Sequence, residues 1–118
     1  MSYNRGDILI ALVPNADGSL PKARPVLVVQ SDVYNARITN LLVVGITSNL
    51  KCAADPACLL IDVSTPDGQA TGLRQDSVVS CINIATITAS LVAKKIGQLS
   101  PAFLQRVDDC LKVALELS

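Results

Sequence analysis

The sequence predicts a mainly β member of the α+β class: a small antiparallel sheet, or half-open barrel, closed by one C-terminal amphipathic helix. Three observations lead there. The apolar runs are short, aliphatic and separated by turn residues, as strands are. No strand alternates with a helical segment as a βαβ unit would require. The hydrophobic period lengthens to three and four residues only beyond Ser100. A length of 118 residues suits one domain, spanning 1–118, with enough chain to hold a core without disulfide or metal.

Five strands follow from the runs DILIALV (7–13), PVLVVQ (25–30), NLLVVGIT (40–47), CLLIDV (58–63) and DSVVSCI (76–82). Each is too short for an ordinary helix and rich in Val and Ile. Between the first two, PNADGSLPKA carries a D-G step and two prolines, so it is an irregular loop. A Thr/Ser/Ala-rich connection leads to a sixth strand, KKIGQL (94–99). Ser100 then offers an N-cap hydroxyl, and Pro101 suits the first helical position, where a missing N–H costs nothing. Leu104, Val107, Leu111, Ala114 and Leu115 form the apolar stripe, widened by Phe103 and Cys110, with Gln105, Arg106, Asp109 and Lys112 opposite.

Composition excludes several chemistries. There is no histidine, so a Ser-His-Asp triad, a Cys-His pair, a two-histidine ribonuclease site and any His-ligated zinc are ruled out. Tyr3, Tyr34 and Phe103 are the only aromatics, too few for a platform that stacks several bases. Cys52, Cys58, Cys81 and Cys110 contain no C-x-x-C pair. Cys81 and Cys110 lie in apolar runs as small core residues, whereas Cys52 and Cys58 flank a polar loop that an incidental disulfide would close. The start MSYNRGDI holds no apolar signal stretch and no run reaches the length of a membrane span, so a reduced, cytoplasmic protein is expected. Ten Lys and Arg balance ten Asp and Glu, but residues 18–54 carry Lys22, Arg24, Arg37 and Lys51 against Asp32 alone. A local basic cleft is compatible with that, as is a solvated surface.

Three segments stand out: Arg5-Gly6-Asp7 opening the first strand, Arg24-Pro25 opening the second, and Ile46-Thr47-Ser48 closing the third. Arg24 precedes a proline that marks a strand start, placing its guanidinium at a strand mouth. A surface ion pair with Asp17 or Asp32 accounts for it equally well. Thr47 ends a buried strand, where its hydroxyl either emerges at the sheet edge or caps a loop backbone.

The ordered set RGDILIALVP, DGS, ARPVLVVQSDVYN, LLVVGITSN, GLRQDSVVS and KKIGQLSPAFLQRVDDCLKVAL resembles the MazF/PemK family of type II toxins from Arg5 to about Leu115. The resemblance implies an SH3-like antiparallel barrel (MazF/CcdB-like) with a C-terminal helix, acting as a homodimer. It implies a metal-independent mRNA interferase, without cofactor, that cleaves single-stranded RNA and is restrained by a cognate antitoxin. It places the catalytic arginine on Arg24 and the catalytic hydroxyl on Thr47. RNA contacts fall on Asp17, Ser19 and Lys22 of the first loop, and on Ser48, Asn49 and Asn83. Many relatives carry an acidic residue where Ile82 stands and an arginine where Ala85 stands, and one plasmid member has catalytic groups matching Ser80 and Ile82. Their loss implies weaker discrimination between bases. Asp76 is retained, as a strand-start carboxylate that bonds a loop backbone. The alternatives are a toxin of the same fold that poisons a protein target, or an inert homologue that binds antitoxin; a protein poison has no use for Arg24 and Thr47 together.

Overall fold

The sheet strands are apolar on both sides because each face of the sheet has its own core. On β1 (Asp7–Val13), Ile8 enters one cluster, while Leu9 and Ala11 enter the other. On β2 (Lys22–Val28), Leu27 joins the first cluster and Val26 and Val28 the second. On β3 (Asn40–Thr47), Val44 and Ile46 oppose Leu41 and Val43 in the same way. Side chains alternate between faces along a strand, so two cores demand a nearly continuous apolar run. Complete burial of each Ile or Leu contributes about 1.5–3 kcal/mol.

The computed structural model describes residues 2–15 and 17–118. The described residues form a six-stranded sheet ordered β4-β5-β3-β2-β1-β6, antiparallel in every pairing. β4 (Cys58–Ile61) and β6 (Val92–Gln98) lie at its two edges and do not pair with each other, so the barrel stays open. Two four-residue helices, α1 (Asp32–Asn35) and α2 (Pro66–Gln69), interrupt the connections. Among the described residues no helix is long and apolar enough to cross a membrane.

Helix α3 (Pro101–Leu115) begins as its sequence requires, with the Ser100 hydroxyl accepting from the Phe103 N–H at 3.3 Å and Pro101 in the first turn. Val107 and Cys110 are buried, and Leu104, Leu111 and Ala114 pack against the first cluster. Leu115 departs from the expected stripe: it ends the helix and stays half-exposed. Arg5 anchors α3 from across the chain, pairing with Asp108 and donating to the Val29 carbonyl at 3.0 Å.

Several boundaries move. β2 starts at Lys22 rather than Pro25, because the exposed Lys22, Ala23 and Arg24 still pair with Val13, Leu12 and Ala11. It ends at Val28, where the Val29 and Gln30 N–H groups both turn to the Leu42 carbonyl. β4 stops at Ile61, and β6 begins two residues before Lys94. The largest change is β5 (Ser77–Thr88), which absorbs the stretch expected as a connection. Its register jumps from Gly45↔Ser80 to Val44↔Ile84, so residues 81–83 bulge out with no partner residues on β3.

All four cysteines are free, with Cys52 exposed and the others buried. Cys52 and Cys58, the pair that an incidental loop disulfide would join, are not bonded, and Cys58 is buried at the start of β4. Burial pushes the Cys58 and Cys110 thiols up and the Cys81 thiol up to about 12. A thiol held neutral is a poor nucleophile. A disulfide reagent at pH 8 is therefore expected to titrate Cys52 rapidly in the native protein and all four thiols after denaturation. More than one fast equivalent before unfolding would contradict this packing.

Candidate functional site

Pairing between β2 and β3 runs from Val28↔Val43 to Val26↔Gly45 and stops beside Pro25, which has no N–H to donate. Continuing that register by two residues sets Arg24 across from Thr47. Both residues line the same two clefts, one of about 330 Å³ and one of about 770 Å³, so the open end of this ladder is a rim between them. Sequence separates these side chains by a loop and two strands; the antiparallel ladder brings them together.

Each is held from one side and open on the other. The Arg24 Nη2 donates to Asn15 Oδ1 at 3.2 Å. Asn15 in turn donates through Nδ2 to the Ser19 hydroxyl at 2.9 Å and the Leu20 carbonyl at 2.7 Å, which fastens the β1–β2 loop to the arginine. A guanidinium has five N–H donors, so one bond to Asn15 leaves a fork for a phosphate. Thr47 Oγ1 accepts from the Asn49 N–H at 3.1 Å. That bond uses a lone pair of the hydroxyl and leaves its proton to donate. Thr47 thus caps a loop backbone, as its strand-end position suggested, and still offers a donor to the cleft.

Arg24 forms no ion pair with Asp17 or Asp32: among the described residues the ion pairs are Arg5–Asp108 and Lys95–Asp7. Asp32 accepts from the Arg5 N–H at 2.6 Å, and Asp17 accepts from the Ser19 N–H at 2.9 Å. The Ser19 hydroxyl, then its N–H, hold the Asp17 carboxyl below the usual aspartate range. Asp7 is buried against Lys95 at 3.0 Å, so Arg5 and Asp7 both serve the fold.

The remaining candidates separate. Ser48 lines the larger cleft and Asn83 the smaller, where it rides on the β5 bulge beside Gly45. Asp17, Ser19 and Lys22 are exposed on or beside the loop but line neither cleft. Asn49 is committed to Thr47 and, through Oδ1, to the Lys51 N–H at 3.1 Å. Asp76 accepts from the Val63 N–H at 3.0 Å, the backbone role its position implied. Ala85 lines the smaller cleft, Ile82 is 62% exposed on the bulge, and Ser80 is buried opposite Cys58 of β4. Sequence reasoning missed Asn15, Arg74, Gln75 and Lys94, all of which line a cleft. Asn15 directly follows Pro14 in the loop, a turn position whose signal is local.

Among the described residues no three His, Cys, Asp or Glu side chains gather as a metal site would need. The chemistry on hand is a guanidinium fork and a hydroxyl donor converging on one rim, suited to a tetrahedral anion.

A family model for PemK-like, MazF-like toxins of type II toxin-antitoxin systems matches residues 4–115. The chain belongs to the PemK/MazF toxin family. Endoribonuclease MazF6 of Mycobacterium tuberculosis is 35% identical over 119 residues, covering 99% of this chain and 100% of the relative. Among solved structures, the M. tuberculosis toxin MazF-mt6 superposes with a TM-score of 0.77 at 29% identity, covering 95% of this chain and 98% of that one. An endoribonuclease from a mycobacterial species, solved with its cognate antitoxin, shares the fold at a TM-score of 0.81 and 20% identity, covering 99% and 98%. The PemK/MazF fold is therefore the open six-stranded sheet with its C-terminal helix, and Arg24 and Thr47 stand at the open end of its β2–β3 ladder.

Proposed function

We propose that this PemK/MazF chain is a metal-independent endoribonuclease that cleaves single-stranded RNA in the cytoplasm and is restrained by a cognate antitoxin. Residues 1–118 act as one toxin domain. The observation that supports this most is the convergence of Arg24 and Thr47 on the rim between the clefts, in a chain 35% identical to an endoribonuclease over its whole length. RNA supplies the nucleophile. Its 2′-hydroxyl attacks the adjacent phosphorus, the bond from phosphorus to the 5′-oxygen breaks, and the proton released at O2′ balances the one gained by the leaving oxygen. Arg24 donates to the non-bridging oxygens, whose charge grows in the transition state. A guanidinium offers donors and no acceptor, which suits that work and not proton abstraction. Thr47 donates its hydroxyl proton to the phosphate or orients the attacking group.

In this reading the active species is a homodimer. Leu42 and Ile84 are exposed on paired strands, and Val113, Leu115 and Leu117 are exposed at the end of α3, leaving apolar surface for a second copy. The test is incubation of the purified protein with a long RNA in EDTA, with product ends mapped. Cleavage is expected to persist and to leave a 2′,3′-cyclic phosphate and a 5′-hydroxyl. A Mg²⁺ requirement or 5′-phosphate ends would refute the mechanism, and a monomer at tens of micromolar in sedimentation would refute the dimer.

A further inference from the structure

The two clefts that meet at Arg24 and Thr47 have opposite character. Among the described residues the smaller one carries no charged side chain besides Arg24, and its polar groups include the amides of Asn15 and Asn83 among Val13, Val26 and Val43. The larger one adds Arg74, Lys94 and Lys95, and among the described residues no Asp or Glu lines it. Lys95 is neutralised by Asp7 at 3.0 Å. Arg74 and Lys94 are exposed, and neither belongs to an ion pair among the described residues.

The fold places these two cations deliberately close to the site. Lys94 of β6 pairs with Ile10 of β1, and Ile10 pairs on its other side with Pro25 of β2. Lys94 therefore stands two strand spacings, about 10 Å, from the residue next to Arg24. Arg74 arrives from a different part of the chain. The Gln98 N–H donates to the Ala70 carbonyl at 3.0 Å, and the Gly72 backbone lies so near the Ile96 carbonyl that no β-carbon would fit. That contact lays the 70–74 segment on β6. Two like charges brought together without a counter-ion repel each other, and an anion between them removes the penalty.

We infer that Arg74 and Lys94 form a phosphate-binding arm for one flank of the RNA, holding its backbone without reading its bases. The inference rests on the ribonuclease reading above and adds an asymmetry to it. The flank in the cationic cleft contributes affinity and salt dependence. Base discrimination falls to the smaller cleft, where the amide of Asn83 is able to meet a base edge.

Binding of an RNA whose scissile 2′-hydroxyl is replaced by hydrogen tests this apart from cleavage. The Arg74→Ala/Lys94→Ala double variant is expected to bind on the order of tenfold more weakly, with the slope of log Kd against log salt reduced by about 1.4, or about 0.7 per phosphate of a single strand. The charge-preserving Arg74→Lys/Lys94→Arg pair is expected to restore most of the affinity. Replacing individual phosphates by neutral methylphosphonates is expected to weaken wild-type binding on both flanks, with the double variant indifferent on one flank alone. Wild-type affinity and an unchanged salt slope in a folded double variant, while the wild type cleaves RNA, would overturn this inference and leave the ribonuclease reading standing. A folded wild type that neither binds nor cleaves RNA would overturn both.

Discussion

Replacing Arg24 by alanine is expected to slow single-turnover RNA cleavage by about 10²–10³-fold, the loss typical of one preorganised donor aimed at a developing oxyanion. The same substitution is expected to leave unfolding free energy within about 0.5 kcal/mol of the wild type, as for an exposed position outside the core. The structure explains the contrast. Arg24 lies at the exposed start of β2, and among the described residues its side chain bonds Asn15 alone. Asn15 keeps its bonds to Ser19 and Leu20 when the guanidinium is gone, so the loop stays fastened. Arg24→Lys retains the charge but not the planar fork, and is expected to recover only part of the rate. Thr47→Val removes the donor while preserving shape; its loss is expected in kcat, since the hydroxyl serves a charge that is fully developed only in the transition state. A variant lacking Arg24 that cleaves at the wild-type rate would remove the proposed mechanism altogether.

How much of this was legible beforehand depends on how local each signal is. β1 and β3 match their apolar runs at both ends, because two cores force continuous hydrophobicity and turn residues bound the runs. α3 matches because Ser100 and Pro101 encode its start. β5 fails for a physical reason: the bulge at residues 81–83 resets the alternation, and Thr86 and Thr88 sit exposed opposite Leu42 and Asn40. A period-two pattern does not survive such a shift. Helices of four residues, such as α1 and α2, are too short to show a period. At the site, the residues alone left Arg24 poised between an ion pair and a function, and the family resemblance supplied the choice. Asn15 was hidden in a loop whose role emerges only through Arg24. Arg74 and Lys94 carried no signal at all, because their proximity is created by a backbone contact between Gly72 and Ile96.

That contact is itself open to test, and Gly72→Ala is expected to be among the most destabilising single substitutions in the chain. Gly72 has φ of +73°, where a β-carbon costs about 1–2 kcal/mol. The added carbon would also lie 2.0 Å from the Ile96 carbonyl oxygen, so the 70–74 segment must lift from β6. Overpacking of this kind costs about 1–3 kcal/mol more. Together these come to roughly 2–5 kcal/mol, against a total stability of about 5–15 kcal/mol for a domain. The melting temperature is expected to fall by on the order of 10 °C. Gly18→Ala separates the two contributions. Gly18 has φ of +80°, yet nothing among the described atoms lies within 4 Å of its β-carbon position, so that variant carries the backbone strain without the collision. A Gly72→Ala protein that melts no lower than Gly18→Ala would show that the segment yields freely. The backbone contact would then not be what sets Arg74 beside Lys94.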